Sequence, residues 1–591
     1  MNNRAFAIAL AGLLGFGAAT FSHAASAAPR VSSEPARTPV ATATAQQWRA
    51  DGFPSARVAR MQYRELPAAR ILQVEKHNAT RNMKPVQIGV ARRAVSEGSA
   101  SPVLPALGWI APARGGAVTR LEVTSPLALG IRVGLKVETL DPRAELRFSG
   151  SSDPSRIVAV MSGKEILALT DRQGIFWTPA TDGQKQHIEV YLPAGIPYQR
   201  TRLQAPLLSH LLTNSARDFK MVEKIGESGT CNVDTACRVN ELGANFVAAK
   251  NAVAQMSFVV DGISYICTGT LLNDTVTTSQ IPWFYSANHC IENQTVASTL
   301  NTYWKYEASS CNSGTVVAGG RVLLAGGADY LFSDATTDAL LLRLRNTPPA
   351  GSTYAGWDAN ALPASSNITG IHHPSGDAKK VSLGQRLGLD AANIEVGWLS
   401  GTTEGGSSGS GLFTSDANGY YLRGGLYGGS ALCVNSGSLN NPDNRDYYSR
   451  FDVVFPQLKQ YLSPTPTNTP PVANFSYTVN GKVISFTDTS TDAGGSIASR
   501  AWTFGDGSSS TAANPVRTYA ALGVYTVTLT VTDNGGLTHS LSRSVSTIGR
   551  QRVNGSQPRL PRQGVSAASA SSQSVAIPRA GQLRPMGPFE P

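Results

Sequence analysis

Short apolar runs separated by glycine, proline, asparagine and aspartate fill the chain from residue 109 to residue 548. Between 109 and 197 they predict a small β domain. Its expected strands are Ile131–Glu138, Ile157–Met161, Ile166–Ala168 and His187–Leu192. Many more short runs follow over 231–460, and helical periodicity first appears at the end of that region, where one helical face would carry Val453, Val454, Leu458 and Leu462. This pattern predicts an all-β barrel or sandwich with a terminal helix.

A second all-β module is predicted at 472–548, after a stiff Pro/Thr linker at 464–471. Apolar and polar residues alternate there, with turn sequences between them, which predicts a β-sandwich whose strands include Phe475–Tyr477, Lys482–Phe486, Ala501–Phe504 and Tyr525–Val531. Trp502 and Tyr525 are expected in its core. Residues 549–591 are rich in Arg, Ser, Gln and Pro, and we expect a disordered basic tail.

The N-terminal region has a different character. Residues 1–27 combine a basic start, an apolar stretch and small-residue cleavage positions, which predicts a signal peptide and a secreted product. No other apolar run is long enough to span a membrane, so no membrane partner is expected. Residues 28–100 are polar and lack a clear period. Lys224 and Ile225 begin a Gly-containing hinge before the first cysteine, a segment suited to proteolytic processing.

All six cysteines lie in one stretch of the chain, at 231, 237, 267, 290, 311 and 433. An even number in an exported chain predicts three disulfides, and the spacing alone leaves 15 pairings open. No CxxC or HExxH spacing favours a metal site, and we expect no metal.

The net charge of +11 is distributed unevenly. Residues 28–224 carry 27 Lys and Arg against 16 Asp and Glu, whereas residues 225–463 carry 13 against 19. The basic character therefore belongs to the N-terminal segment and the tail, while the cysteine-containing domain is acidic. This division disfavours a nucleic-acid-binding protein.

Three candidate catalytic residues follow one another in this acidic domain. His289 follows an apolar strand, Asp338 precedes another, and Ser408 lies in a run of glycines and serines. A serine hydroxyl becomes a nucleophile when a histidine takes its proton and a carboxylate orients that histidine. The order His, Asp, Ser is that of one class of acyl-transfer enzyme. Asp334 is the nearest rival to Asp338.

Six short motifs resemble those of the secreted bacterial lysyl endopeptidases, over about residues 225–462. They begin at Cys231, Thr268, Ser286, Ile371, Gly406 and Asn444. The resemblance implies a chymotrypsin-like double β-barrel preceded by a β-containing propeptide (28–224), and disulfides joining Cys231 to Cys433, Cys237 to Cys311 and Cys267 to Cys290. The sequences around Trp502 and Tyr525 similarly resemble a PKD domain, an immunoglobulin-like sandwich.

The same resemblance implies roles for individual residues. Ser408 would attack the scissile carbonyl, His289 would transfer the proton, and Asp338 would orient His289. The backbone N–H groups of Gly406 and Ser408 would form the oxyanion hole. His372 and His373 belong to a shared motif for which a structural role is expected.

Substrate recognition is implied at a second group of residues. Asp446 matches the family's specificity aspartate and would pair with a cationic side chain. Gly428 and Gly429 would pair with the substrate backbone as an added strand. Two positions depart from the family: Tyr427 stands where members can carry a histidine, and Trp398 matches a different position from their tryptophan.

Activation is expected to differ from that of many chymotrypsin-like zymogens. The residue before Ser408 is Ser407, so an ion pair between a new N-terminus and an aspartate there is excluded. We expect inhibition by the basic prosegment, whose charge complements the acidic domain. Cleavage after Lys224 would release Ile225.

The sequence therefore predicts a secreted serine endopeptidase that cleaves after lysine in protein and peptide substrates and needs no cofactor. The alternatives are mixed Lys/Arg specificity and a non-catalytic secreted adhesion protein. The partners expected are the chain's own propeptide, as inhibitor or chaperone, and an insoluble protein or polysaccharide bound by the PKD domain.

Overall fold

A computed structural model of the chain describes residues 28–37, 46–50, 52–79, 85–97, 103–113, 115–215, 227–464, 468–493 and 495–548. The predicted signal peptide (1–27), the processing residues Lys224 and Ile225, and the predicted tail (549–591) lie outside these ranges. The chain divides into two compact units at residues 465 and 466, inside the predicted linker.

The first unit begins with two short strands and then a separate domain. We call residues 28–37 the N-terminal strap and residues 46–215, which lie in the predicted propeptide, the prosegment domain. The strap contains β1 (Arg30–Val31) and β2 (Glu34–Pro35). The prosegment domain contains β3 (Ala59–Gln62), α1 (Ala68–Ala79), β4 (Val86–Gln87), β5 (Gly89–Arg93), α2 (Ala94–Glu97), β6 (Ala117–Thr124), β7 (Gly130–Thr139), β8 (Glu145–Gly150), β9 (Ala159–Ser162), α3 (Gly163–Leu169), β10 (Ile175–Trp177), β11 (Thr181–Asp182), β12 (Lys185–Leu192) and β13 (Arg202–Leu211).

Two five-stranded sheets form the prosegment domain. One has the order β3-β6-β12-β8-β9, and the other has β10-β7-β13-β5 with β11 paired to β7. One apolar cluster, which includes Leu121, Val133, Phe148 and Ile188, fills its interior. The domain begins well before residue 109, because β3 and β5 of the weakly patterned N-terminal region supply strands to both sheets.

The strand predicted at Ile166–Ala168 is wrong, because these residues lie in helix α3. Ser162 caps this helix: its hydroxyl accepts from the Glu165 N–H, and the Glu165 carboxylate accepts from the Ser162 N–H. This capping box satisfies two N–H groups that a helix otherwise leaves unpaired. A three-residue apolar run was too short to distinguish the two structures.

The cysteine-containing domain follows, and we call residues 227–464, which carry the predicted catalytic residues, the protease domain. Its elements are β14 (Val233–Asp234), α4 (Thr235–Asn251), β15 (Val253–Val260), β16 (Ile263–Leu272), β17 (Trp283–Ala287), α5 (Gln294–Ala297), β18 (Asn301–Trp304), β19 (Val322–Leu324), β20 (Ala328–Asp334), β21 (Ala339–Leu344), β22 (Thr353–Tyr354), β23 (Gly356–Asp358), β24 (Asn367–His372), β25 (Lys380–Leu389), β26 (Asn393–Ser400), β27 (Gly411–Asp416), β28 (Gly419–Gly429), β29 (Asp446–Ser449) and α6 (Phe451–Leu462).

Two large, mainly antiparallel sheets contain most strands of this domain. The first has the order β19-β18-β15-β16-β17-β21-β20. In the second, β24, β25, β26, β29, β28 and β27 pair in a closed ring, because β28 pairs with both β27 and β29. The all-β prediction for this region is confirmed, and the arrangement agrees with a double barrel.

Helix predictions in this domain were partly wrong. The 17-residue α4 was not expected; its buried residues are only Thr235, Phe246 and Ala249, and Gly243 interrupts it at φ 73°. Its apolar face is therefore too sparse to show in the sequence pattern. The terminal helix is confirmed as α6, but Val453 points outward, and Phe451 and Phe455 join the buried face instead.

The strap and the prosegment domain both add strands to the protease domain. β1 pairs with β23, β2 pairs with β22, and β4 pairs with the first half of β16, on the side where β17 does not reach. Arg132 reaches across from the prosegment domain and donates from Nη2 to the Thr299 carbonyl at 2.6 Å. Burial lowers the pKa of Arg132 to about 10.

The second unit is a β-sandwich, as predicted. Its strands are β30 (Phe475–Asn480), β31 (Val483–Asp488), β32 (Ile497–Thr503), β33 (Ser509–Ser510), β34 (Val516–Thr518), β35 (Val524–Asp533) and β36 (Thr538–Ser546). They form sheets of order β30-β31-β34 and β33-β32-β35-β36. Trp502 is fully buried at the centre, and Tyr525 packs at the edge against Tyr519 with ring centroids 3.9 Å apart.

Candidate active site

The structure brings His289, Asp338 and Ser408 together. His289 follows β17, Asp338 precedes β21, and these two strands pair with Ala287 opposite Ala339. Ser408 lies in the loop between β26 and β27. The His289 Nε2 atom is 2.8 Å from the Ser408 Oγ atom, and the His289 Nδ1 atom is 2.6 Å from Asp338 Oδ2.

Asp338 fixes the orientation of His289. Its Oδ1 atom accepts from the His289 backbone N–H at 2.8 Å, and its carbonyl accepts from the Asn288 N–H at 2.9 Å. The left-handed backbone of Asp338, with φ 59°, turns its side chain back toward these donors. With Nδ1–H donating to the carboxylate, Nε2 remains to accept the Ser408 proton. This arrangement can activate a serine hydroxyl.

The rival acid, Asp334, serves a different purpose in the structure. Its Oδ1 atom accepts from the Thr336 N–H at 3.0 Å, and its Oδ2 atom accepts from the Thr337 hydroxyl at 2.9 Å. These contacts cap the turn between β20 and β21, and they favour Asp338 as the acid beside His289.

Glycines shape the loop that presents Ser408. Gly409 has φ 77°, and a Cβ at that position would lie 2.0 Å from Ser286 Oγ, so this position requires glycine. Thr268 N–H donates to the Ser408 carbonyl at 2.8 Å and ties the loop to β16. Within the described parts of the chain, the N–H groups of Gly406 and Ser408 donate to no other group. Both therefore can bind an oxyanion.

His372 hydrogen-bonds to the same loop. It is fully buried, its Nδ1 lies 2.8 Å from Ser407 Oγ, and its Nε2 lies 3.0 Å from Ser382 Oγ. Ser382 Oγ donates to the Thr402 carbonyl, so it accepts from Nε2–H, and Nδ1 accepts from Ser407. Hydrogen bonds between uncharged groups thus hold Ser407, the residue that cannot form the activating ion pair of other zymogens. The sequence predicted a structural role here without identifying Ser407 as the partner.

Asp446 lies fully buried on β29, opposite Gly429 of β28. Its Oδ2 atom accepts from Trp398 Nε1 at 2.8 Å and from the Thr403 hydroxyl at 2.6 Å. These two donors are uncharged groups, and they fix the orientation of the carboxylate. Burial, and then the charge of Asp446, raise the pKa of Tyr448 well above its ordinary value. The site therefore presents a buried carboxylate, the kind of group that pairs with a cationic side chain.

Three residues, Thr403, Trp398 and Tyr427, make contacts with Asp446 or His289 that the sequence did not predict. Thr403 precedes Ser408 by five positions, and nothing in its local sequence marks it as a partner of Asp446. The Trp398 indole N–H is a hydrogen-bond donor to the Asp446 carboxylate. Tyr427 packs its ring edge against His289, with centroids 6.1 Å apart at 84°.

Gly428 and Gly429 end β28 opposite Tyr447 and Asp446. A Cβ on Gly429 would lie 2.4 Å from Asp446 Oδ1, so a side chain there would fill the space beside the carboxylate. The pair of glycines thus keeps this space open for an incoming side chain.

The three disulfides have the pairing that the family resemblance implies. They join Cys231 to Cys433, Cys237 to Cys311 and Cys267 to Cys290. Cys267, His289 and Cys290 also form a group of potential metal ligands among the described residues, but the disulfide removes both thiolates.

Comparisons with known proteins agree with these features. The model of the lysyl endopeptidase C-terminal domain matches residues 225–449, that of the lysyl endopeptidase N-terminal domain matches 62–212, and a PKD domain model matches 468–548. None of the helices in the described ranges has the length and apolar character that a bilayer crossing requires.

Three similar proteins illustrate these matches. Lysyl endopeptidase of Pseudomonas aeruginosa is 36% identical over 396 residues, which cover 64% of this chain and 82% of that protein. The pre-pro-metalloprotease PrtV of Vibrio cholerae is 46% identical over 72 residues, 12% of this chain and 8% of that protein. The crystal structure of the PKD1 domain of Vibrio anguillarum Epp has 40% identity and a TM-score of 0.13, and the match covers 14% of this chain and 95% of that one. The chain is a serine endopeptidase with a PKD domain, and it belongs to the lysyl endopeptidase family.

Proposed function

We propose that this endopeptidase cleaves protein and peptide substrates after lysine, with Asp446 as the residue that selects the lysine side chain. The observation that carries the proposal is the fully buried Asp446 carboxylate, oriented by Trp398 and Thr403 beside the side-chain-free Gly429. A buried carboxylate that gains a cationic partner on binding discriminates strongly against neutral side chains.

Ser408, His289 and Asp338 carry the chemistry in this proposal. Ser408 Oγ attacks the scissile carbonyl while His289 Nε2 takes its proton, and His289 then gives that proton to the leaving nitrogen. The C–N bond breaks, and the acyl group remains on Ser408 until water removes it by the same proton path. Asp338 stabilises the imidazolium that forms at each step.

Backbone groups complete the proposed site. The N–H groups of Gly406 and Ser408 bind the oxyanion of the tetrahedral intermediate, and removal of one such donor costs about 10²–10³ in rate. Gly428 and Gly429 pair with the substrate backbone before the scissile bond, which places the lysine side chain next to Asp446.

Maturation and export form part of the same proposal. Residues 1–27 direct secretion, the prosegment inhibits the protease domain, and cleavage after Lys224 releases Ile225. The protein matched at 36% identity is itself named a lysyl endopeptidase. The PKD domain binds an insoluble protein or polysaccharide and brings the protease to it.

Matched lysyl and arginyl chromogenic peptides test the specificity. The mature protein is expected to prefer lysine, and Ser408→Ala is expected to lower kcat by about 10⁶. Asp446→Asn is expected to lower kcat/KM for lysine by about 30-fold to 5,000-fold, corresponding to about 2–5 kcal/mol for a buried charge pair.

Asp443→Asn provides the control, because Asp443 is an exposed acid three residues from Asp446. It is expected to change kcat/KM little. Equal turnover of arginyl peptides would leave the assignment of Ser408 as nucleophile in place and would establish mixed Lys/Arg specificity. An Asp446→Asn enzyme with undiminished lysine preference would refute the assignment of Asp446.

A further inference from the structure

The N-terminal strap lies along the protease domain as an extended segment, over the chain that connects the two large sheets. β1 pairs antiparallel with β23, and β2 pairs antiparallel with β22. β23 belongs to the second sheet through its pairing with β28, and Ala355, between β22 and β23, forms a bridge with Leu272 of the first sheet. The strap therefore adds strands at the crossing from one sheet to the other.

Side chains of the protease domain bind the backbone of the strap. Asn273, directly after β16, donates from Nδ2 to the Ser32 carbonyl at 2.9 Å. Asn360 binds both polar groups of Ala28: its Oδ1 atom accepts from the Ala28 N–H at 2.9 Å, and its Nδ2 atom donates to the Ala28 carbonyl at 3.0 Å. Such bonds to backbone atoms fix the register of an extended segment.

The C-terminal end of the strap is bound beside the first sheet. Gln280 Nε2 donates to Glu34 Oε1 at 2.8 Å and to the Pro35 carbonyl at 2.9 Å, and Gln280 Oε1 accepts from the Arg37 N–H at 2.7 Å. Arg37 Nη2 also donates to the Thr277 carbonyl at 2.7 Å. Gln280 and Thr277 both lie between β16 and β17, so these contacts attach the strap to the first sheet.

The N-terminal end of the strap is bound to the second sheet through Arg30. Its guanidinium forms an ion pair with Asp416 at the end of β27, and its Cζ atom lies 3.4 Å from the centroid of the Tyr421 ring on β28. A guanidinium over an aromatic face gains a cation–π attraction besides the ion pair. One segment thus binds both sheets, and His289 adjoins the first of them while Ser408 adjoins the second.

Gly356 of β23 makes room for this segment. A Cβ at that position would lie 2.5 Å from the Val31 carbonyl oxygen, and its three nearest neighbours would all be backbone atoms of the strap. The φ angle of Gly356 lies outside the left-handed range, so no turn requires glycine there. Ala28 and Val31 also pack against the apolar cluster that contains Trp357. The protease domain is therefore shaped to receive the strap.

The strap contains no site for the proposed lysine-specific cleavage. Its cationic residues are Arg30 and Arg37, and the first lysine of the whole chain is Lys76, in helix α1. An enzyme that cleaves only after lysine can divide the prosegment domain at Lys76 and beyond, but it leaves every bond of the strap intact.

We propose that the strap is a separate docking segment, which stays bound to the protease domain after the prosegment domain has been digested and holds the two sheets together in the active enzyme. Its binding surface is formed by Asn273, Gln280, Gly356, Asn360, Asp416 and Tyr421. The position of the cut that frees the strap from the prosegment domain rests on the proposed lysine specificity, whereas the docking itself does not.

Native mass spectrometry of the wild-type enzyme purified from culture medium tests the retention. We expect a one-to-one complex between the chain that contains Ser408 and a fragment that contains residues 28–37 but lacks strands β6–β13. Denaturing conditions should separate the two. An enzyme that hydrolyses lysyl chromogenic peptides would overturn the inference if it carried no such fragment, or if it kept residues 28–37 only together with β6–β13.

A synthetic peptide of residues 28–37 tests the docking without catalysis. The full chain with Ser408→Ala and with residues 28–37 deleted should bind the fluorescein-labelled peptide one-to-one, as measured by fluorescence anisotropy. Arg30→Ala in the peptide should raise Kd by about 5-fold to 30-fold, because the ion pair and the cation–π contact are lost. Ser32→Ala is the matched control: Ser32 is exposed and is bound through its carbonyl, so Kd should stay unchanged.

Gly356→Ala in the same deleted chain tests the protease side of the contact. The added Cβ meets the strap backbone, so Kd for the natural peptide should rise by about 5-fold to 150-fold while circular dichroism stays the same. A folded chain that does not bind the natural peptide would refute the inference, and if the deletion prevents folding, the native mass measurement decides alone. If the peptide docks as expected but the wild-type enzyme cleaves no lysyl chromogenic peptide, the proposed function fails and the docking stands.

Discussion

At the scale of single residues, the loop that carries Ser408 depends on the hydrogen bond between Ser407 and the buried His372. His372 holds Ser407 through a 2.8 Å hydrogen bond and touches none of the reacting atoms described above. His372→Phe is expected to lower kcat by about 10², because a displacement of the nucleophile by about 1 Å is costly. KM and the folded state should change little.

His373→Phe provides the comparison for His372. It is also fully buried, but it stacks on Tyr306 and donates to the Asp377 carbonyl instead of reaching Ser407. Steady-state kinetics of the two variants on a lysyl peptide should separate them. A similar kcat for both would mean that His372 acts only through general packing.

His373 also makes stability depend on pH. Burial, and then the charge of Lys379, hold the pKa of His373 well below its ordinary value of 6.5, and the hydrogen bond to the Asp377 carbonyl acts in the opposite direction. The unfolded chain therefore binds a proton near pH 6.5 that the folded chain does not. The free energy of unfolding should fall as pH drops below about 6.5, with a slope of at most about 1.4 kcal/mol per unit from this group.

Urea unfolding of the Ser408→Ala protein between pH 5 and pH 8 measures this slope without self-digestion. Adding His373→Phe should flatten the curve in this range. Identical slopes with and without His373 would show that it does not titrate differently on folding.

At the scale of elements, the Cys267–Cys290 disulfide joins β16 to the turn that carries His289. Replacing both cysteines by serine should lower stability by about 3 kcal/mol in the chain-entropy model for a loop of this length. It should also lower kcat, because His289 loses its neighbouring anchor.

The Cys237–Cys311 disulfide is the matched control, since it closes a longer loop of 74 residues near the start of α4. Its removal should cost about 4 kcal/mol and leave kcat nearly unchanged where the protein stays folded. Thermal unfolding and steady-state kinetics on the same preparations measure both effects. An equal loss of kcat in the two variants would show that the Cys267–Cys290 disulfide has no special role in positioning His289.

Elements differed in how clearly the sequence predicted them. Strand β17 could be predicted from a short continuous apolar run, and helix α6 from apolar residues at helical spacing. Helix α4 could not, since few of its residues are buried and Gly243 breaks its period. Helix α3 was missed because a capping box decided the conformation of a three-residue apolar run.

At the scale of the whole molecule, the PKD unit has an apolar core of its own, with Trp502 at its centre. Trp502→Ala should destabilise this unit by about 3–5 kcal/mol. Calorimetry of the full chain should show one transition shifted to lower temperature, while hydrolysis of small lysyl peptides stays unchanged. If peptidase activity were lost while the protease domain stayed folded, its activity would depend on the PKD unit and the prediction would be wrong.

The sequence by itself determined the all-β class, predicted a division at residues 464–471, and supplied His289, Ser408 and two candidate acids, because each depends on local pattern or on motifs in a fixed order. Only the tertiary structure decided which acid meets His289. Asp338 and Asp334 are four residues apart, and strand pairing with a left-handed turn brings just one of them to the ring. It also decided the donors to Asp446, the hydrogen bond between Ser407 and His372, and the pairing of Val86–Gln87 with β16, since these contacts join residues far apart in the chain.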